Sequence, residues 1–250
     1  MNIACIPACA AFTLFYLTTL YVMRGNLGAG IMLLGLTYIF WPRRHLRIID
    51  LVLGLVLIGC SYYFHKSMLL SLALLVPAFF RLSKKTITIS FCLFPVAVGI
   101  MKVVLAQIGS NGIDGVDETI SNSALRYSNV EAFTFNAFGI FRNIVVYLAP
   151  YLILIYAYHT NLMDKLPYRI RFFFNYWYIW VYIASVCAFQ DVGGWYYSRF
   201  MYMSNLPLMV FMGYVFQNFQ KTKILKTIIL ASAAGSLYVL AYAFYVYELK

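Results

Sequence analysis

Charge is what this chain has least of, and negative charge above all. Of its 250 residues 11% are charged, with eight Asp and Glu against nineteen Lys and Arg. A water-soluble domain carries about a quarter charged residues, so the shortage excludes that class and predicts an integral membrane protein. Cysteine is also sparse: Cys5, Cys9, Cys60, Cys92 and Cys187 all fall in apolar runs, with no Cys-x-x-Cys pair and no Cys/His zinc spacing. They read as buried small hydrophobes, and neither a metal nor a cofactor is expected. No Gly-x-Ser-x-Gly, His-Glu-x-x-His or Walker sequence occurs, so none of the sites those sequences build is expected. Repeats, low-complexity tracts and soluble domains are missing too, and residues 1–250 read as a single transmembrane helical domain.

What the chain has is 63% hydrophobic residues, broken at alternate gaps by basic triplets. These are Arg43/Arg44/Arg47, Arg81/Lys84/Lys85, Lys165/Arg169/Arg171 and Lys221/Lys223/Lys226, together twelve of the nineteen cations. Cytoplasmic loops of membrane proteins are enriched in Lys and Arg, so the alternation sets orientation as well as class. Dealt out in threes, the cations do not form the continuous stripe that tracks phosphates, which excludes nucleic acid as a partner.

The apolar runs predict an all-α, polytopic bundle of about nine transmembrane helices. They are Ile3–Val22, Leu27–Trp41, Ile48–Phe64, Ser67–Phe80, Thr86–Ile108, Ile144–His159, Phe172–Phe189, Trp195–Gln217 and Thr227–Val246. With the basic triplets inside, the N-terminus is in and the C-terminus out. The first run lacks a basic leader and reads as a retained helix. Asp114, Asp117, Glu118, Glu131, Asp191 and Glu248 then face outward, while Asp50 and Asp164 stay near the inner face. The one long polar stretch, about 109–142, lies outside. Its turn-rich start and the aromatics of residues 131–138 suit a lid or a surface-lying helix.

Cations outside the basic triplets are the candidates for chemistry, because an ionised group within the membrane is costly. Leu27–Trp41 and Ser67–Phe80 are shorter than the ~20 residues a span needs, at about 1.5 Å per residue. Extending them outward draws in Arg24 and His65-Lys66, which sinks those groups below the outer surface. Gly25, Gly28 and Gly30 after Arg24 lack the order of a dinucleotide fingerprint and predict close helix packing. Trp195, Arg199 and Tyr202 share a helical face at i, i+4 and i+7, where aromatics can brace a guanidinium or stack on a sugar. Asp191 is the salt-bridge partner that a purely structural Arg199 would use. Arg126, Arg142, Asp114, Asp117 and Glu118 on the outer loop form a second tier, and Lys102 snorkels outward.

Three of these segments together resemble the EpsG family of bacterial exopolysaccharide proteins, similar in role to the Wzy-type polymerases. They are Arg24-Gly25-Asn26-Leu27-Gly28-Ala29-Gly30-Ile31, then Phe64-His65-Lys66-Ser67 after a basic loop and an apolar helix, and Ser198-Arg199-Phe200-Met201-Tyr202 opening a late helix. Family members carry further helices before the arginine helix, where this chain has one, so a truncated member is expected. The resemblance implies a multi-pass protein of the bacterial cytoplasmic (inner) membrane. It implies assembly of capsule, exopolysaccharide or O-antigen from repeat units on undecaprenyl pyrophosphate, alongside other polysaccharide assembly proteins. Arg24, His65 and Arg199 are its family-matched positions.

Residue chemistry fits that role. A pyrophosphate at the outer surface needs cations there, and the planar fork of arginine matches paired oxygens. His65 and Arg199 are the expected catalytic residues, with His65 as base toward an acceptor hydroxyl and Arg199 on the leaving charge. Arg24, Lys66, Arg126, Arg142, Trp195 and Tyr202 are the expected substrate-binding residues. Three rivals compete: a transporter or flippase of a lipid-linked saccharide, a membrane acyltransferase with His65 as base, and an inactive truncated family member.

Overall fold

The computed structural model describes residues 23–43, 45–64, 68–80, 82–110, 149–189 and 193–218, with 223, 224 and 227. Within them all regular structure is helical: α1 Met23–Phe40, α2 Arg47–Phe64, α3 Met68–Ala78, α4 Lys84–Cys92, α5 Phe94–Ser110, α6 Ala149–His159, α7 Leu162–Lys165, α8 Tyr168–Ala188 and α9 Gly193–Asn218. The run Ile3–Val22, all of Thr227–Val246 but its first residue, and loop residues 111–142 lie outside the described residues.

The local punctuation has identifiable causes. Ser83 caps α4, its Oγ accepting the Thr86 backbone N–H at 3.2 Å, which satisfies one of the orphan donors of a helix start. Pro167 precedes α8, where a missing N–H costs nothing. Asn161 adopts a left-handed conformation (φ 53°) between α6 and α7, a role asparagine fills at low cost. The run Thr86–Ile108, expected as one helix, breaks at Leu93, and α4 and α5 diverge by 55°. Pro95 is the reason: it has no N–H for the preceding turn and its ring crowds that turn. Across the break, the Tyr182 hydroxyl donates to the Ser90 carbonyl at 2.9 Å, and the Tyr178 hydroxyl pairs with Ser90 Oγ.

Helix α8 is the hub. Ile170, Phe174, Trp177, Tyr178, Val181 and Ala184 enter a core with α4, α6, α7 and α9. Its other side, Phe172, Phe173, Tyr176 and Trp180, packs with α1, α3 and Met203 of α9. Two of the polar groups it buries reach backbone carbonyls. Asn175 Nδ2 donates to the carbonyls of Ala78 (3.1 Å) and Phe80 (2.8 Å), closing the end of α3. The Tyr176 hydroxyl donates to the Ser71 carbonyl at 2.9 Å.

Helix α2 is the opposite case. It packs on α1 at backbone range: a Cβ on Gly35 would stand 2.6 Å from the Gly54 carbonyl oxygen, and one on Gly54 2.7 Å from that of Gly35. Only Asp50, Gly54 and Ser61 of α2 are buried, while Ile48, Leu51, Val52, Leu55 and Val56 point outward. Small and polar residues inside with large aliphatics outside reverses the order of a water-soluble helix. By length and composition α2 is the one described helix able to cross a membrane, or one of two if the bent pair α4–α5 counts as a span. Helix α8 misses that test because aromatic and polar side chains lower its hydropathy, and α3 and α6 are 11 residues each.

Candidate functional site

Ring contacts fix which helix ends meet. Phe40 at the end of α1 packs on Phe172 at 4.7 Å, and Tyr176 reaches Met32, so α1 and α8 are antiparallel. Trp180 meets Phe200 at 5.5 Å and Phe174 meets Phe211 at 5.0 Å, so α8 and α9 are antiparallel too. The starts of α1 and α9 therefore lie at the same end of the bundle.

A floor closes the space below them. Ala29, Met32, Leu33 and Leu36 of α1, Ser71 of α3, Tyr176 and Trp180 of α8, and Met203 and Pro207 of α9 surround a cavity of about 10 Å³. That holds about one water, so the cavity itself admits nothing larger. Arg24 stands five residues before Ala29 and Arg199 four before Met203, which puts both backbones about 6–8 Å above the floor at 1.5 Å per residue. Gly28, one turn below Arg24, has its missing Cβ 3.0 Å from the Ser61 carbonyl and 3.1 Å from Met68 Cγ. Ser61 and Met68 flank residues 65–67. The fold thus brings the Arg24 turn, the end of α2, the start of α3 and the Arg199 turn to one end of the bundle.

Of the expected site residues, His65, Lys66, Arg126 and Arg142 lie outside the described residues, as does Asp191. Arg24, Trp195, Arg199 and Tyr202 are described as helical backbone. Gly28 makes the close helix contact expected of it, whereas nothing lies within 4 Å of a Cβ built on Gly30. The tightest glycine pair, Gly35 and Gly54, escaped the sequence reading; its signal was a small residue in each of two adjacent apolar runs.

The opposite end is where the basic clusters gather. Arg169 lies over the Trp41 ring at 5.9 Å, and Lys84 over the Tyr158 ring at 5.0 Å. Arg43 Nη2 meets Asp50 Oδ1 at 2.6 Å, and the Arg43 backbone N–H donates to Asp50 Oδ2 at 2.6 Å. That hydrogen bond, then the attraction of the carboxylate, raises the Arg43 guanidinium above its ordinary range. Both carboxylates among the described residues, Asp50 and Asp164, belong to this end, so none is described near the starts of α1 and α9. Comparisons with protein-family models, curated proteins and solved structures find no match.

Proposed function

We propose that the chain is a polytopic helix bundle of the bacterial inner membrane that joins undecaprenyl-pyrophosphate-linked repeat units on the extracytoplasmic face. The observation that carries this reading is that the Arg24 and Arg199 turns, with the helix ends that flank His65-Lys66, lie at the end of the bundle opposite the described members of the basic clusters. If basic loops are cytoplasmic, the convergence lies outside, where a lipid-linked glycan is presented. The outward aliphatic side chains of α2 support the membrane setting, and nine spans remain the preferred count.

In the reaction an acceptor sugar hydroxyl attacks the anomeric carbon of the donor chain. The bond between that carbon and the pyrophosphate oxygen breaks, and the pyrophosphate carries off the electron pair on its lipid. His65 takes the hydroxyl proton, and Arg24 and Arg199 stabilise the charge on the leaving pyrophosphate. The apolar floor of Met32, Met203 and Trp180 lowers the local dielectric below the two cations and strengthens their hold. Lys66, Arg126, Arg142, Trp195 and Tyr202 are the proposed contacts along the glycan.

The test is a gel of surface glycan from a deletion strain complemented with the chain or with Arg199→Ala. Long polymer from the chain and single repeat units from the variant are expected. Long polymer from the variant would remove Arg199 from the mechanism. The bent pair α4–α5 favours one second reading, a flippase, because broken spans line translocation paths. Loss of a flippase leaves repeat units inside the cell; loss of a polymerase leaves them outside.

A further inference from the structure

A second site lies far from the convergence of arginines, between α4 and α6. An open groove of about 450 Å³ is lined by Ile87, Thr88, Phe91, Cys92, Leu154, Ile155, Tyr158 and His159. That volume falls within the ~300–1,000 Å³ of small-molecule sites. Its two ends differ in chemistry. At the end of the basic clusters, Lys84 stands over the Tyr158 ring, Thr88 Oγ1 and the Tyr158 hydroxyl pair at 3.0 Å, and His159 closes the rim. Toward the bend, the lining is Phe91, Cys92, Leu154 and Ile155, without a charged group. Lys84 and Lys85 both occupy the first turn of α4, which contains no acidic residue. The helix dipole disfavours cations there, and an anion beside them relieves the conflict.

We infer that this groove binds an anionic phospholipid of the inner leaflet, with an acyl chain along Phe91, Leu154 and Ile155 and the head phosphate at Lys84. The inference rests on the membrane setting proposed above. A cation beside Tyr158 at the polar end and aliphatic walls beyond it match such an amphiphile in order as well as in kind. The undecaprenyl carrier presents its phosphates at the other face in the proposed reaction, so it is the less suitable occupant.

The test uses the full chain in detergent, with phosphatidylglycerol and phosphatidylcholine of identical acyl chains supplied at equal concentration. Native mass spectrometry counts what is retained. The chain should retain phosphatidylglycerol in excess. Lys84→Gln should cut that preference about fivefold, as the loss of one cation near a lipid headgroup implies. Ile155→Trp, at an exposed position on the groove wall, should reduce retention of both lipids, and Lys102→Gln on α5 should change neither. Equal retention of the two lipids by the unaltered chain, or an undiminished preference in Lys84→Gln, would overturn the groove. Tighter retention of undecaprenyl phosphate than of phosphatidylglycerol would assign it to the carrier and overturn the phospholipid. Carbonate extraction of the same membranes separates the two levels: a chain that washes out refutes the membrane setting and the groove together. A chain that stays in and shows no preference refutes the groove alone.

Discussion

Helices α2 and α8 are close in length, 18 and 21 residues, and opposite in what they bury. Helix α2 has a mean hydropathy of 1.7, yet 17% of it is buried. Helix α8 contains Asn175, four tyrosines and two tryptophans, and thirteen of its residues are buried. Hydropathy here marks the helix that faces outward. The helix at the centre is marked by aromatics and by two buried polar groups, Asn175 Nδ2 and the Tyr176 hydroxyl, that reach backbone carbonyls; in the membrane setting proposed above, packing and hydrogen bonds supply a bundle's cohesion.

That contrast can be broken by substitution. Trp177→Ala empties the middle of α8, where the ring lies 5.3 Å from Phe174 and 6.5 Å from Phe211. We expect a loss of about 3–5 kcal/mol in unfolding free energy, measured by denaturant titration in detergent. Gly54→Ala tests the tightest backbone contact described between α2 and α1. The new methyl would meet the Gly35 carbonyl at 2.7 Å, the helices must part, and the expected loss is about 1–3 kcal/mol. Val52→Ser on the outward side of α2 should leave the detergent-solubilised fold within about 0.5 kcal/mol while lowering the membrane-inserted fraction in a carbonate wash. A large loss of folding stability from Val52→Ser would mean that the outward side of α2 is covered by protein.

Much of this contrast was legible beforehand. Basic triplets predicted which helix ends share a side, and contacts such as Arg169 on Trp41 and Lys84 near Tyr158 gather them as expected. The bend at Leu93 was signalled by Pro95 but lost inside an unbroken apolar run, since hydropathy has no term for direction. The centrality of α8 was hidden for the same reason. Arg24 and Arg199 stood out as isolated cations, but their nearness depends on two antiparallel packings onto α8 that no local pattern encodes. The lipid groove had a faint signal in Lys84 and Lys85 and in His159 at a helix end; what was missing was the apposition of α4 and α6, 70 residues apart at Thr88 and Tyr158.

The glycine contact between α1 and α2 has a consequence in time. Gly35 and Gly54 are 19 residues apart, whereas the Tyr176–Met32 contact spans 144. During synthesis the α1–α2 hairpin can close as soon as its second helix emerges, while the surfaces meant for α8 wait for more than a hundred residues to be made. Domains form in this vectorial order, and long-range pairing is the slow part. Until α8 arrives, Met32, Leu36 and Phe40 have only α3 to pack on, and those three side chains mark where a chaperone or insertase would hold the nascent chain.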